Sequence, residues 1–249
     1  MKKVVLVTGA SGELGMSIIK KYASNGYNVV INYNLNRKNA EEIKKYVEKN
    51  YDIEALTIKC DISDENQVDE MVKKIIKKFG RIDILINNAA IEENSDFYDK
   101  NKETFNKVFD VNVIGTFLVT KHVSKEMLKN KNGVIINVSS NNSIDKNDPV
   151  TLEYDASKAA LNSLTKNFAV EFAPYIRVNA IAPGWIKTQK IIELDEYLNG
   201  SFIETSSRGC LLNSIASKED VSNLIYFLTS DEAKFINGEI IKIDGGSHV

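Results

Sequence analysis

The sequence predicts an α/β fold: a single-domain, Rossmann-like doubly wound parallel sheet of about seven strands flanked by helices. Two observations carry this. Short β-branched runs alternate with longer amphipathic stretches from one end of the 249 residues to the other, the pattern of repeated βαβ units. The short runs are almost wholly apolar, as strands covered on both faces by helices must be. Right-handed crossovers then place a ligand crevice outside the carboxyl ends of the strands.

Taken in order, the first strand is expected at 4–7, Val-Val-Leu-Val after Lys2-Lys3. That run is far too short for a secretory core or a membrane span. A glycine-rich turn leads into a helix near 15–25, followed by a strand at 28–33, a helix near 38–49 and a strand at 54–59. Val68, Met71, Val72, Ile75, Ile76 and Phe79 recur at helical spacing, with lysines on the other face and Gly80 as the stop. A strand at 82–86 precedes one long helix over 103–129. Strands at 134–138 and 176–181 flank a helix over 154–172. The stretch 187–215 is the least regular and lies after a strand, where a substrate lid belongs. A helix over 218–229 and a strand at 239–243 finish the pattern.

Net charge is −2 and the lysines lie spread on helix faces, a distribution unlike the concentrated basic stripe of a nucleic-acid binder. No run approaches a membrane span. Cys60 and Cys210 are far apart and lack metal-site or disulfide spacing, which fits a reducing cytoplasm. His122 and His248 have no chemical company and read as structural or surface residues.

Directly after the first strand stands Thr8-Gly9-Ala10-Ser11-Gly12-Glu13-Leu14-Gly15, opening a helix. Gly9 allows a tight turn, Gly12 lets backbone approach a pyrophosphate, Gly15 permits close helix packing, and the helix N-terminus supplies amide donors and a positive dipole. Strand-to-helix context makes this a dinucleotide-binding signal. An acid at the end of the second strand would pair the ribose hydroxyls of NAD. Tyr33 stands at that place and Arg37 follows, within reach of a 2′-phosphate, so NADP is the expected cofactor, with NAD the alternative.

Beyond the loop, the whole chain resembles the short-chain dehydrogenase/reductase family, nearest in appearance to its 3-oxoacyl-carrier-protein reductases. Asp61-Ile62 is similar to the family's adenine-contacting segment, and Asn87-Asn88-Ala89-Ala90 to its sheet-stabilising motif. Asn112-Val113-Ile114-Gly115 resembles the segment with the active-site Asn, and Ser139-Ser140 the strand end with the catalytic Ser, Ser140 being preferred over Ser139. Tyr154-Asp155-Ala156-Ser157-Lys158 matches Tyr-x-x-x-Lys. Pro183-Gly184-Trp185-Ile186-Lys187-Thr188 matches the segment that holds the nicotinamide carboxamide. Tyr98 and Lys102 form a second Tyr-x-x-x-Lys, but no strand-end Ser precedes it at short range. The departures are Glu13, where chains of this length in the family usually carry glycine; Ser143, where a glycine often follows the Ser; and Val170, where the reductases tend to have an Arg facing the carrier protein.

The resemblance implies a catalytic set of Asn112, Ser140, Tyr154 and Lys158. Tyr154 and Lys158 share one helix face, and the ammonium is expected to pull the phenol pKa towards neutrality, where a general acid works best. Ser140 would bind the carbonyl oxygen, Asn112 would hold a water linking Lys158 to solvent, and Lys158 would also grip the nicotinamide ribose. The expected activity is reduction of a ketone to a secondary alcohol, with a small carbonyl or alcohol substrate and an acyl thioester among the candidates. A sugar, polyol or hydroxysteroid dehydrogenase and a nucleotide-sensing regulator that has lost catalysis are the alternatives. The family tendency makes a homotetramer the expected assembly.

Overall fold

The structure is a computed structural model that describes residues 2–145 and 148–247; His248 lies outside the described residues. Seven parallel strands form one sheet in the order β3-β2-β1-β4-β5-β6-β7. They are β1 (Val4–Val7), β2 (Asn28–Tyr33), β3 (Ala55–Lys59), β4 (Ile84–Asn87), β5 (Gly133–Val138), β6 (Ile176–Pro183) and β7 (Ile240–Ile243). The order reverses between β1 and β4, and such a switch point opens a crevice at the carboxyl edge of the sheet.

Alternation along the strands divides the core into two layers. Val5, Val7, Val29, Ile31, Ile84 and Ile86 face one side, under α1 (Glu13–Ser24), α2 (Arg37–Asn50) and α9 (Lys218–Thr229). Val4, Leu6, Val30, Leu85 and Ile135 face the other, under α3 (Glu65–Phe79), α5 (Thr116–Lys129) and α6 (Leu152–Phe172). Because successive strand side chains point to opposite faces, an apolar strand feeds both layers at once. Each such Val, Leu or Ile contributes roughly 1.5–3 kcal/mol of burial.

Local chemistry sets the helix ends. The Asp64 carboxylate accepts from the amides of Asn66 at 2.9 Å and Gln67 at 3.2 Å to start α3, and Gly80 ends it at φ 75°. Ser217 and Asp220 form a reciprocal capping box on α9. Across β4 and β5, the Asn87 amide donates to Asn137 Oδ1 at 2.8 Å and to Thr120 Oγ1 at 3.0 Å, and Asn137 donates to Thr165 Oγ1 at 2.8 Å. This buried polar ladder ties the sheet centre to α5 and α6.

Two stretches carry detail beyond the sequence expectation. The stretch 103–129 is helical throughout, as expected, but α4 (Lys102–Phe109) and α5 are joined by a π-helical segment, Asp110–Gly115, containing Asn112. Periodicity could not reveal it, because the apolar spacing runs through the insertion. The stretch 187–215 is not irregular: it contains α7 (Gln189–Tyr197) and α8 (Ser201–Arg208). Their exposed, polar-rich faces lack the long apolar stripe that marks a helix in sequence. Thr188 caps α7 by accepting from Ile191 N, and Trp185 packs edge-on against Phe202 of α8.

Candidate active site

The glycine-rich turn is held by atoms that are not glycine. Gly9 N donates to Asn32 Oδ1 at 3.1 Å, and the Asn32 amide donates to Cys60 O at 3.1 Å. Asn32, a polar residue set between Ile31 and Tyr33 near the end of β2, was the signal for this clamp. Thr8 Oγ1 accepts from the amides of Asn88 at 3.0 Å and Ala89 at 3.1 Å, and the Asn88 side chain donates to Thr8 O and Gly9 O. Gly9 has φ +60°, and a Cβ there would lie 2.8 Å from the Ala89 Cα. A Cβ on Gly15 would lie 2.6 Å from the Ala10 Cα. Both positions therefore demand glycine.

A cavity of about 430 Å³ opens over this turn. Ser11 to Gly15 form one wall and Asn88 to Ile91 the other, with Asp61 and Ile62 at the far end. Asp61 Oδ1 accepts from the Ser63 amide and hydroxyl, and its Oδ2 from the Asn34 amide. At the end of β2 the lining comes from Asn34, Leu35 and Asn36. Tyr33 is not among the lining residues: it is buried in the core layer of α1 and α2, because it still belongs to the strand and points inward. Arg37 is the first residue of α2, exposed and outside the cavity wall. Pro183, Gly184, Ile186 and Thr188 also lie outside that wall. Pro183 closes β6, Ile186 bridges to Ala216, and the Thr188 hydroxyl serves the α7 cap.

Farther along the same edge, Ser140 lies two residues past β5, and its side chain lowers the pKa of the Tyr154 phenol beside it. It also accepts from Asn142 N at 3.2 Å, which fixes the turn 141–143. Ser139 is engaged elsewhere, with Asn162 Oδ1 at 2.6 Å and Lys158 O at 3.3 Å. Lys158, one helical turn after Tyr154, is 2% exposed; its ammonium donates to Val138 O at 2.7 Å and lies 5.5 Å from the Tyr154 ring centroid. Tyr98, by contrast, is 96% exposed in a surface turn, and Lys102 begins α4.

The electrostatics correct one expectation. The Tyr154 phenol is not pulled towards neutrality: burial pushes its pKa well up, the Glu92 carboxylate pushes it further, and the Ser140 side chain only partly opposes them. Burial also pushes the Lys158 ammonium down, to about 8. Desolvation favours the neutral form of both groups. The Asn112 side chain has protein partners of its own. Its Oδ1 accepts from Ile91 N at 2.9 Å, while its amide donates to Ile91 O at 2.9 Å and Ser157 Oγ at 3.0 Å. The side chain thus joins the cavity wall to the helix that carries Tyr154 and Lys158.

The Glu13 carboxylate, at the rim of this wall, is held by protein partners. One carboxylate oxygen accepts from Gln189 N at 2.7 Å and the other pairs with Lys218 at 2.7 Å. Glu92, absent from the sequence reading, pairs with Lys190 at 2.6 Å. Among the described residues, no cluster of His, Cys, Asp and Glu could hold a metal ion, and no helix is long and apolar enough to cross a membrane.

Residues 9–248 match a family described as enoyl-(acyl carrier protein) reductase. The chain is 34% identical over 250 residues to the 3-oxoacyl-[acyl-carrier-protein] reductase of Staphylococcus epidermidis, with 100% of each chain covered. It superposes on ElxO with NADP bound at a TM-score of 0.91 and 34% identity, covering 99% of each chain. It superposes on an NAD+-bound xylitol dehydrogenase at the same TM-score and 29% identity, covering 98% of each. With the glycine cradle, the Ser140–Tyr154 pair and buried Lys158 on one sheet edge, the chain belongs to the short-chain dehydrogenase/reductase family of NAD(P)-dependent oxidoreductases.

Proposed function

We propose that this chain is an NADPH-dependent reductase that converts a ketone into a secondary alcohol, with a β-keto thioester as the leading substrate class. The observation that carries the reading is Ser140 placed beside the Tyr154 phenol, with the buried Lys158 ammonium one helical turn on, at the sheet edge that also carries the glycine cradle. The cradle fits a dinucleotide: Ser11, Gly12, Leu14 and Gly15 would receive the pyrophosphate at the α1 N-terminus, and Asp61 and Ile62 the adenine. Asn88, Ala89 and Ala90 form the opposite wall. Lys158 would hold the nicotinamide ribose. The bound dinucleotide supplies the hydride. Asn34, Leu35 and Asn36 bring no carboxylate to the adenosine end, and that supports NADP over NAD.

In the chemical step, Ser140 orients the carbonyl oxygen and stabilises the charge that develops on it. Tyr154 donates its phenolic proton to that oxygen, which becomes the alcohol hydroxyl. A raised phenol pKa keeps Tyr154 protonated at neutral pH, the state a proton donor requires. Lys158, at about 8, carries its charge at neutral pH and steadies the phenolate left behind.

Val170 is 81% exposed and brings no cation to α6, which supports small free substrates over carrier-linked ones. The same observation favours a second reading, a polyol or hydroxysteroid dehydrogenase. We take residues 1–249 as one domain with 187–215 as its lid. Exposed Ile114, Phe117 and Leu128, spaced along the π turn and α5, together with Val170, support a homotetramer. The two buried free cysteines fit the cytoplasm. The deciding experiment is turnover of β-keto thioesters, keto sugars and steroids with NADPH and NADH. Thioester reduction with the highest kcat/KM on NADPH is expected; preference for NADH, or for a steroid or sugar, would replace this reading.

A further inference from the structure

Glu13 is chemically out of place in a pyrophosphate cradle, since a carboxylate there repels the ligand's charge. Its contacts show where it is used. It is the first residue of α1, it accepts from the backbone amide of Gln189, the first residue of α7, and it pairs with Lys218, the first residue of α9. Three helix N-termini, each the positive end of its helix, meet at one carboxylate. The next residue of α7, Lys190, reaches the opposite side and pairs with Glu92 at 2.6 Å. Glu92 directly follows Ile91, which lines the far wall of the cavity, whereas Glu13 lines the near wall. Two adjacent residues of α7 are therefore fastened to both walls of the cleft.

We infer that Glu13 and Glu92 are positioning residues that latch α7 across the dinucleotide cleft, so that release of the coenzyme requires these contacts to break. The inference rests on the functional reading above, in which NAD(P)H occupies that cleft. It accounts for an acid at position 13: the charge is neutralised by Lys218 and by the α7 amide, and in return the phosphate loop grips the lid. Lys190 is exposed and Glu92 partly so, which makes this half of the latch the salt-sensitive one. The Glu13 half, with both partners about a third exposed and one bond made by backbone, is the stronger.

The test is stopped-flow release of NADPH, followed by its fluorescence, from the full chain. It compares wild type, Glu13→Ala, Glu92→Gln and the double variant, with thermal unfolding of each. The double variant should release NADPH roughly tenfold faster, from the loss of one charge-assisted hydrogen bond and two partly exposed ion pairs, while its Tm falls by no more than about 10 °C and leaves it folded at the assay temperature. Salt at 0.5 M should speed release more from wild type than from the double variant, in which only the screening of the coenzyme's phosphates remains. Lys190→Ala with Lys218→Ala removes both ion pairs from the partner side but keeps the bond from the Gln189 amide to Glu13, and should accelerate release by a smaller factor of about threefold, should the Glu13 variant not fold. Release within twofold of wild type in both double variants would overturn the latch while leaving the reductase reading intact. Failure of wild type to bind either NADPH or NADH would overturn the reading of the cleft, and the latch with it.

Discussion

Lys158 is held folded at a cost that pH can remove. Its ammonium is buried with one backbone carbonyl for company, and burial brings its pKa from 10.5 to about 8. A base whose folded pKa is depressed is less willing to carry its proton in the fold than in the unfolded chain. Below pH 8 both states are protonated and the full penalty applies; between about 8 and 10.5 only the unfolded chain holds the proton, so stability rises with pH through that window. At 1.36 kcal/mol per pKa unit the full penalty is about 3 kcal/mol, and about 2.5 kcal/mol of it is relieved between pH 7 and 10. Lys158→Met keeps an unbranched chain of similar length and cannot titrate. Urea unfolding of the coenzyme-free protein and of this variant at pH 7, 8.5 and 10 isolates the effect. The stability of wild type relative to the variant should rise by about 2.5 kcal/mol across that range. Other groups that titrate in the range, present in both proteins, cancel in the difference to first order. A difference flat to within about 0.5 kcal/mol would show that the ammonium is not desolvated as described, and would remove the basis for treating Lys158 as a group tuned near neutral pH.

Tyr154→Phe removes one hydroxyl and should lower kcat by roughly 10²–10⁴ with coenzyme binding retained, whereas Tyr98→Phe, on the exposed surface turn, should leave kcat within about twofold; near wild-type turnover by Tyr154→Phe would exclude it as the acid. Arg37→Ala should reduce the NADPH-to-NADH ratio of kcat/KM by roughly tenfold if the exposed guanidinium swings to the 2′-phosphate. An unchanged ratio would assign discrimination to Asn34 and Asn36, which line the cavity where Arg37 does not. Asp64→Ala removes the carboxylate that caps α3 and should cost about 1 kcal/mol in urea unfolding with kcat unaltered; a change in kcat would mean that α3 reaches the site through the neighbouring Asp61 turn.

The Asp61 turn and the glycine cradle also show how much could be read in one dimension. The strands, the α3 stripe ended by Gly80, the cradle and the Tyr154–Lys158 spacing were all legible, because each is a local pattern with its own physical cause: alternation, helical periodicity, a forced positive φ, one helical turn. Strand ends moved by one or two residues, since ladder hydrogen bonds rather than side-chain type decide where pairing stops. What stayed hidden depends on atoms far apart in the chain. The π turn around Asn112 is fixed by bonds to Ile91 and Ser157. Burial, which no local window reports, raises the Tyr154 pKa, and the Glu92 carboxylate adds to it. Glu13 meets Gln189 and Lys218 across 176 and 205 positions. The sequence alone determined which groups could perform the chemistry; the tertiary structure decided how they are charged and what they hold, because desolvation and long-range hydrogen bonds exist only once the chain has packed.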